Sequence, residues 1–300
     1  MPHLDTRNEA VVILVGLLIL LTIVEMWLSY RENRHYYEKQ DTLTNIYLTA
    51  LAFILNLAVN GSAFVLLSFV YQYKLFQIRN SVLYWIVLVI IQDFLYWVLH
   101  YTGHYCRLFW AMHVTHHSSE YFNFSTGFRS TVFEPLYRTF FYLPLALMGF
   151  TAVDILYAYL LTQLYGNLVH TQYHIPLPKW YALIFVTPAH HRVHHASNIP
   201  YLDKNMGMMF IVWDRLFGTF NDEDPAEPVK YGLTKQPQNI GPVNIVFHEW
   251  RDLLKDVKNA PGYKNKLRYL FYPPGWSHDG VTQTARVMQR EYLKTNLKNE

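Results

Sequence analysis

Three long apolar runs decide what this chain can fold into. Val11 to Tyr30 is about twenty residues broken only by Thr22, Glu25 and Ser29, enough to cross a bilayer as a helix. Leu43 to Tyr73 is longer and weakly polar, a tilted span or one bent near Asn60-Gly61. Val82 to Leu99 is the third, with Asp93 inside it. In hydrocarbon no water satisfies backbone N–H and C=O groups, so such segments must be helices. Val132 to Val169, divided by Gly149 and Asp154, reads as two antiparallel membrane segments. Composition agrees, with 52% hydrophobic, 17% aromatic and 16% charged residues against a typical ~25% charged. The expected architecture is an all-α integral membrane protein with about three spans plus a membrane helical hairpin.

Neither a basic segment nor a small-residue cleavage site marks the first run as a signal peptide, so it is expected to be retained. Cys106 is the only cysteine, which excludes an intramolecular disulfide and a thiolate-rich zinc site. Net charge is +3, and ten Lys/Arg lie between Arg251 and Lys298. A chain this apolar is a poor candidate for nucleic acid, and the basic segment suits the cytoplasmic side or an anionic lipid surface. With that segment inside, His170 onward stays inside and the hairpin enters and leaves from the same face. Span three then delivers His100 to that face, the 31–41 loop is inside, and the amino terminus is outside. Residues 179–300 are expected to form a cap of short helices and loops, with a charged helix over Val281 to Leu297.

Eleven of the fifteen histidines fall between His100 and His195, in repeated short spacings. His100 and His104 form HxxxH, and His113, His116 and His117 form HxxHH. His170 and His174 repeat the first spacing; His191, His194 and His195 repeat the second, with His190 adjacent. Residues at i, i+3 and i+4 share a helix face, so each group can aim several imidazoles at one point. Ten imidazoles are too many for one ion, so the pattern predicts a dimetal site in the histidine-rich cap. The alternative is interfacial histidines satisfied by water and headgroups, which suits His3, His35, His248 and His278 better than the repeated groups. His190 is set aside because the last box is complete without it.

Asp93 lies seven residues before His100, on the same helix face and inside an apolar span. An ionisable residue there suggests function, either accepting the outer N–H of a ligand histidine or bonding a Tyr or Trp between helices. Asp203, Lys204 and Asn205 could orient the last box in the same way. Tyr96, Trp97, Phe122 and Phe124 could line an acyl-sized channel, or simply fill the core.

A dizinc hydrolase would want a carboxylate ligand and an aqueous cleft, and the boxes supply no Asp or Glu at ligand spacing. A diiron centre activating O2 suits neutral ligands at the ends of apolar spans, where a lipid substrate can enter from the bilayer. A metal transporter would place its ligands near mid-membrane in broken helices. No flavin, haem or iron–sulfur motif is visible, so an oxygenase would need an external electron donor.

The ordered boxes, with the strings DFLYWVLH (from Asp93), HVTHHSSEYFNFSTGFR (from His113), TPAHHRVHHASN (from Thr187) and DKNMGMMFIVWDRLFGTF (from Asp203), resemble the fatty acid hydroxylase/sterol desaturase superfamily. The last three strings, with Tyr231-Gly232-Leu233-Thr234, are most similar to its alkylglycerol monooxygenase branch. The resemblance covers roughly Ser81 to Phe220 and more loosely reaches Trp276. It divides the chain into an amino-terminal transmembrane region (1–80), a catalytic region (81–220) and a cytoplasmic carboxyl-terminal tail (221–300). It implies two irons held by His100, His104, His113, His116, His117, His170, His174, His191, His194 and His195. In that branch an ether lipid is hydroxylated beside its oxygen and cleaved, with a tetrahydropterin as reductant. The alternative within the superfamily is a sterol or carotenoid desaturase or hydroxylase fed by cytochrome b5, ferredoxin or a reductase. The chain departs from the branch at Tyr105 and Gln172, where the branch carries acidic residues.

Overall fold

The computed structural model describes residues 2–129 and 131–296, with side chains described from Glu9 to Thr295 apart from residue 130; His3 falls outside these. Three long helices come first: α1 (Pro2–Arg31), α2 (Lys39–Tyr71) and α3 (Ser81–Tyr105). Each is long and apolar enough to cross a membrane. Their outward residues are large and apolar, among them Val12, Phe53 and Val82, all more than half exposed as a lipid-facing surface requires. Helix α2 runs unbroken through Asn60 and Gly61, so the expected bend is not a break in the helix. Its 33 residues span roughly 50 Å at 1.5 Å per residue, longer than a hydrocarbon core, so one end stands clear of it.

The fourth apolar region is the expected hairpin: α6 (Pro135–Leu147) and α7 (Ala152–Leu168). Between α3 and α6 lie two shorter helices, α4 (Arg107–His117) and α5 (Phe124–Gly127). Leu67, Leu88, Tyr142, Leu145, Phe150 and Ile155 form a core shared by α2, α3 and the hairpin. The hairpin tip meets the α2–α3 connection, where Leu75 N–H donates to Leu147 O at 2.7 Å and Tyr84 OH donates to Asp154 at 2.7 Å. Gly149 at the tip has φ +97, and a Cβ there would sit 2.3 Å from Phe76 O, so only glycine fits. The hairpin therefore reaches as deep as α2 and α3.

The cap begins with α8 (Lys179–Ile184), α9 (Pro188–His194) and α10 (Val212–Phe217). It continues with α11 (Pro242–Asn259), α12 (Gly262–Phe271) and α13 (Ala285–Asn296). Helix α13 starts four residues later than the charge pattern suggests, after a turn-rich stretch. The last third of the chain folds back on the rest. Arg107 at the start of α4 pairs with Glu249 at 2.8 Å and Asp256 at 2.7 Å, both on α11. Ile245 and Val246 of α11 pack on Leu48 and Val132. Apart from two isolated bridges, Phe185 with Phe210 and Ala196 with Tyr231, the described residues contain no β-structure.

The α1–α2 connection lies at the end of the bundle that carries the histidines, where Asn123 donates to Tyr36 O at 2.6 Å. Arg129, buried beside α4, donates to Asp41 at 2.9 Å and to Asn45 at 2.7 Å on the first turns of α2. The α2–α3 connection and the hairpin tip occupy the opposite end.

Candidate metal centre

Four chain segments converge on one buried point. His100 and His104 occupy the last two turns of α3, and Cys106 then caps both α3 and α4, reversing the chain in a single residue. Helix α4 presents His113, His116 and His117 back toward α3. His170 follows directly on the end of α7. Helix α9 opens with Thr187 as its N-cap and Pro188 in its first turn, and carries His191 and His194, with His195 at its C-cap.

Nine of the ten candidate histidines form two groups. His100, His104, His113, His117 and His194 make one, and His116, His170, His191 and His195 make the other. Within each group the ligand atoms lie within 4.8 Å of one another. The groups adjoin, because His116 and His117 are sequence neighbours and so are His194 and His195. The His116 and His195 ring centroids are 4.5 Å apart, as are those of His117 and His195.

His174 is not brought to either group and is exposed. Its HxxxH spacing with His170 implied a shared helix face, but α7 ends at Leu168 and Pro176 and Pro178 keep the following segment from being helical. His190 is also outside both groups. It closes a capping box with Thr187, its Nδ1 accepting the Thr187 N–H at 3.2 Å.

Ring orientations are set from behind. His100 Nδ1 donates to Met206 O at 2.8 Å, His116 Nδ1 to Arg129 O at 2.9 Å, His170 Nδ1 to Gly166 O at 2.7 Å, and His194 Nδ1 to Lys204 O at 2.9 Å. His104 Nδ1 lies 3.2 Å from Asp203 Oδ1. A carbonyl oxygen only accepts, so in the first four rings the proton sits on Nδ1 and Nε2 carries a bare lone pair. Asp203 acts the same way on His104.

Those Nε2 atoms point inward. His104 Nε2 and His194 Nε2 are buried without any hydrogen-bond partner, while His170 Nε2 lies 3.0 Å from His191 Nε2 and 3.1 Å from His195 Nε2. Outside the spanning helices, burial holds His113, His117, His170, His191, His194 and His195 well below the ordinary imidazole value, and His116 is brought down to about 4. The rings are thus neutral near pH 7. Imidazole nitrogens converging in this way, with His104 Nε2 and His194 Nε2 unpartnered, form a donor set that fits two metal ions.

The 203–214 segment is the chief scaffold. Asp203 and Asn205 adopt left-handed φ values of 54 and 55, which Asp and Asn tolerate best, and the carbonyls of Lys204 and Met206 reach His194 and His100. Asn205 is tied to His190 O and Asn221 O. Asp214, fully buried, accepts from Met206 N–H at 2.7 Å, Gly207 N–H at 2.7 Å, the Trp97 indole at 3.2 Å and the Thr219 hydroxyl at 2.6 Å.

Asp93 holds the same segment further along, accepting from Met209 N–H, Phe210 N–H and the Trp213 indole at 3.0, 3.2 and 2.9 Å. It bonds no histidine, so of the two readings of Asp93 the structure displays the packing one. Sequence reasoning passed over Asp214 and Arg129, and treated Glu25 only as an interruption. The signal at Glu25 was a carboxylate within a span; it accepts from Phe124 N–H at 2.8 Å and from the hydroxyls of Thr171 and Tyr37.

Two cavities adjoin the histidines from opposite sides. One of about 240 Å³ lies among α2, α6 and α7 and touches His113, His116 and His170. The other, about 1020 Å³, lies in the cap between the 232–239 loop and α11 and touches His104, His117 and His194.

A helical membrane protein with an all-histidine centre at one end of its spans is the class this architecture defines. Residues 85–219 match the fatty acid hydroxylase family, which supports the fatty acid hydroxylase/sterol desaturase superfamily. It is similar to the alkylglycerol monooxygenase of Caenorhabditis elegans, 34% identical over 201 residues, covering 64% of this chain and 39% of that protein. The human alkylglycerol monooxygenase is 34% identical over 263 residues, 86% of this chain and 57% of that protein. That of Danio rerio is 31% identical over 276 residues, 90% and 59% respectively. The chain thus spans less than two thirds of the length of these relatives. No solved structure matches it.

Proposed function

We propose that this chain is a membrane-bound diiron lipid monooxygenase that inserts oxygen from O2 into the C–H bond beside the oxygen of an ether lipid. The observation that carries the reading is the pair of adjoining histidine groups, five and four residues, at one end of apolar spans. The similarity to alkylglycerol monooxygenases supports the ether-lipid substrate. One iron would be held by His100, His104, His113, His117 and His194 and the other by His116, His170, His191 and His195. Bound iron would supply the redox chemistry that reduces O2, one oxygen atom entering the substrate and the other leaving as water with two electrons from an external donor.

The remaining work falls to the chain. Carbonyls and Asp203 hold the rings with Nε2 inward, and burial excludes bulk water. Oxidation beside an ether oxygen gives a hemiacetal, which collapses to an aldehyde and an alcohol. The cap cavity favours a small polar reductant, such as a tetrahydropterin, that reaches the His104 side directly, over a protein donor. The basic residues of α11, α12 and α13, from Arg251 to Lys294, lie in the cap beside the histidines and support a cytoplasmic orientation.

The test is turnover of 1-O-hexadecylglycerol by iron-loaded protein in nanodiscs. Aldehyde release that needs O2 and tetrahydropterin supports the reading. Turnover only with NADPH and a reductase would return the sterol or carotenoid alternative, and metal exchange without O2 consumption would return a transporter.

A further inference from the structure

Part of the cap lies beside the spans rather than above them. Helices α8 and α10 are tied into one unit, since Val186 N–H donates to Met209 O and Ile211 N–H to Ile184 O, both at 2.9 Å. That unit is fastened to the spans at two places. On α3, Asp93 holds the 209–213 segment, and the Phe94 ring lies 5.0 Å from that of Trp213 and 6.1 Å from that of Phe217. On α7, Tyr165 donates to Val186 O at 2.6 Å and accepts from the Tyr181 hydroxyl at 2.8 Å. Asp93 and Phe94 sit about 10 Å along α3 from His100, on the membrane side, at 1.5 Å per residue.

Helix α3 presents a lipid-facing stripe at Val82, Ile86 and Ile90, all exposed, and Phe94 is the next position at that four-residue spacing. There Phe217 takes over, stacked on Phe94 and on Trp97. The outer face of the unit continues the stripe, with Trp180, Leu183, Leu216 and Phe217 each at least half exposed. Its charged residues are basic. Lys179 opens α8, and Arg215 donates to Ala182 O at 3.3 Å with its guanidinium over the Phe220 ring. Large apolar residues with a tryptophan and flanking cations are the make-up of a helix lying in a membrane interface, whose apolar face sinks roughly 5–10 Å below the headgroups. The depth fixed by Asp93 and Phe94 agrees with that figure. Any other occupant would have to displace the leaflet that surrounds the α3 stripe.

We infer that the outer face of α8 and α10 docks into the leaflet on the histidine side. Its apolar residues lie at the boundary of headgroups and acyl chains, and Lys179 and Arg215 face the lipid phosphates. The bilayer then holds the cap in register with the spans, and the histidine groups lie at headgroup depth rather than in the water above it.

The test uses the full chain carrying Cys106→Ser, which removes the only native thiol, in phosphatidylcholine nanodiscs. Leu183→Cys or Leu216→Cys then carries an environment-sensitive fluorophore, with Ile86→Cys on α3 and the exposed Val281→Cys as references for hydrocarbon and water. A lipid bearing a doxyl group next to its headgroup is expected to quench both test positions strongly, and aqueous iodide to quench them several-fold less than the Val281 position. A doxyl group near the end of the acyl chain should favour the Ile86 position instead. Iodide quenching equal to that at Val281 would overturn the docking. So would labels shielded from both quenchers, the sign of a protein partner or a second copy on this face. Either test position decides the matter should the other variant not fold.

Discussion

Asp214 and His100 are joined through one peptide unit: the carboxylate accepts the Met206 N–H at 2.7 Å, and the Met206 carbonyl accepts from His100 Nδ1 at 2.8 Å. Asp214→Asn should therefore act on the metal centre without touching it. An amide turns an N–H₂ toward donors that now face oxygen, freeing the 206–207 backbone. Turnover is expected to fall 10–100-fold, with metal retained less tightly against a chelator, the usual size of an effect behind a ligand. Wild-type turnover and chelator resistance would mean that α10 fixes the loop without the carboxylate.

Asp93 and Asp203 should separate in the opposite sense to what their positions in sequence suggest. Asp203→Ala removes the partner of His104 Nδ1 and is expected to loosen metal by 10–100-fold. Asp93→Asn leaves every histidine contact in place but weakens the anchor of the 209–213 segment. It should lower folding stability by about 1–3 kcal/mol and leave metal content near two per chain. Thermal unfolding and metal analysis of both variants check the pair.

How far the sequence could be read depends on the range of each interaction. Span length, the hairpin and three of the four histidine boxes follow from local periodicity, which a single sequence displays. The HxxxH of His170 and His174 failed because identical spacing arises on a helix and off one, and only the position of the α7 terminus decides. Asp93 stayed open between two readings because shared helix phase with His100 says nothing of what packs against that face; the 209–213 segment does, 116 residues or more along the chain. Asp214 and Arg129 escaped because their partners are backbone groups together with side chains far along the chain, Trp97 for Asp214 and Asp41 and Asn45 for Arg129, which no local pattern marks. Capping of α9 by Thr187 and Pro188 was in principle legible.

His116 and His174 give the sharpest comparison among the imidazoles. His116→Ala should remove the metal of the four-histidine group, abolish turnover and lower metal content to about one per chain. His174→Ala should bind and turn over like the wild type, since its side chain is exposed and outside both groups. Metal loss in the second variant would require the 169–178 segment to rearrange on binding.

The metal-free protein should be acid-labile in a defined window. His116 titrates at an ordinary 6.5 when unfolded and at about 4 in the fold, where burial disfavours its charged form. The unfolded chain therefore binds protons first on acidification. Stability from this group is complete above 6.5, erodes as pH falls, and is lost at about 4. His113, His117, His170, His191, His194 and His195 shift the same way and add to the slope. Thermal unfolding of chelator-treated protein across that range should show Tm dropping steadily; a flat profile would mean the cluster opens to water without its metals.

Glu25 couples the first span to the centre. Its buried carboxylate accepts from Phe124 N–H and from the hydroxyls of Thr171 and Tyr37, and Thr171 follows His170. Glu25→Leu leaves those donors unpaired at about 1–3 kcal/mol each, so Tm should fall sharply and His170 should lose its support. Glu25→Gln keeps an accepting oxygen and should recover most of the stability. Equal unfolding of both variants with wild type would show that α1 is held by apolar contact alone; a rescue by glutamine but not leucine identifies hydrogen bonding, rather than charge, as what fastens the span to the site.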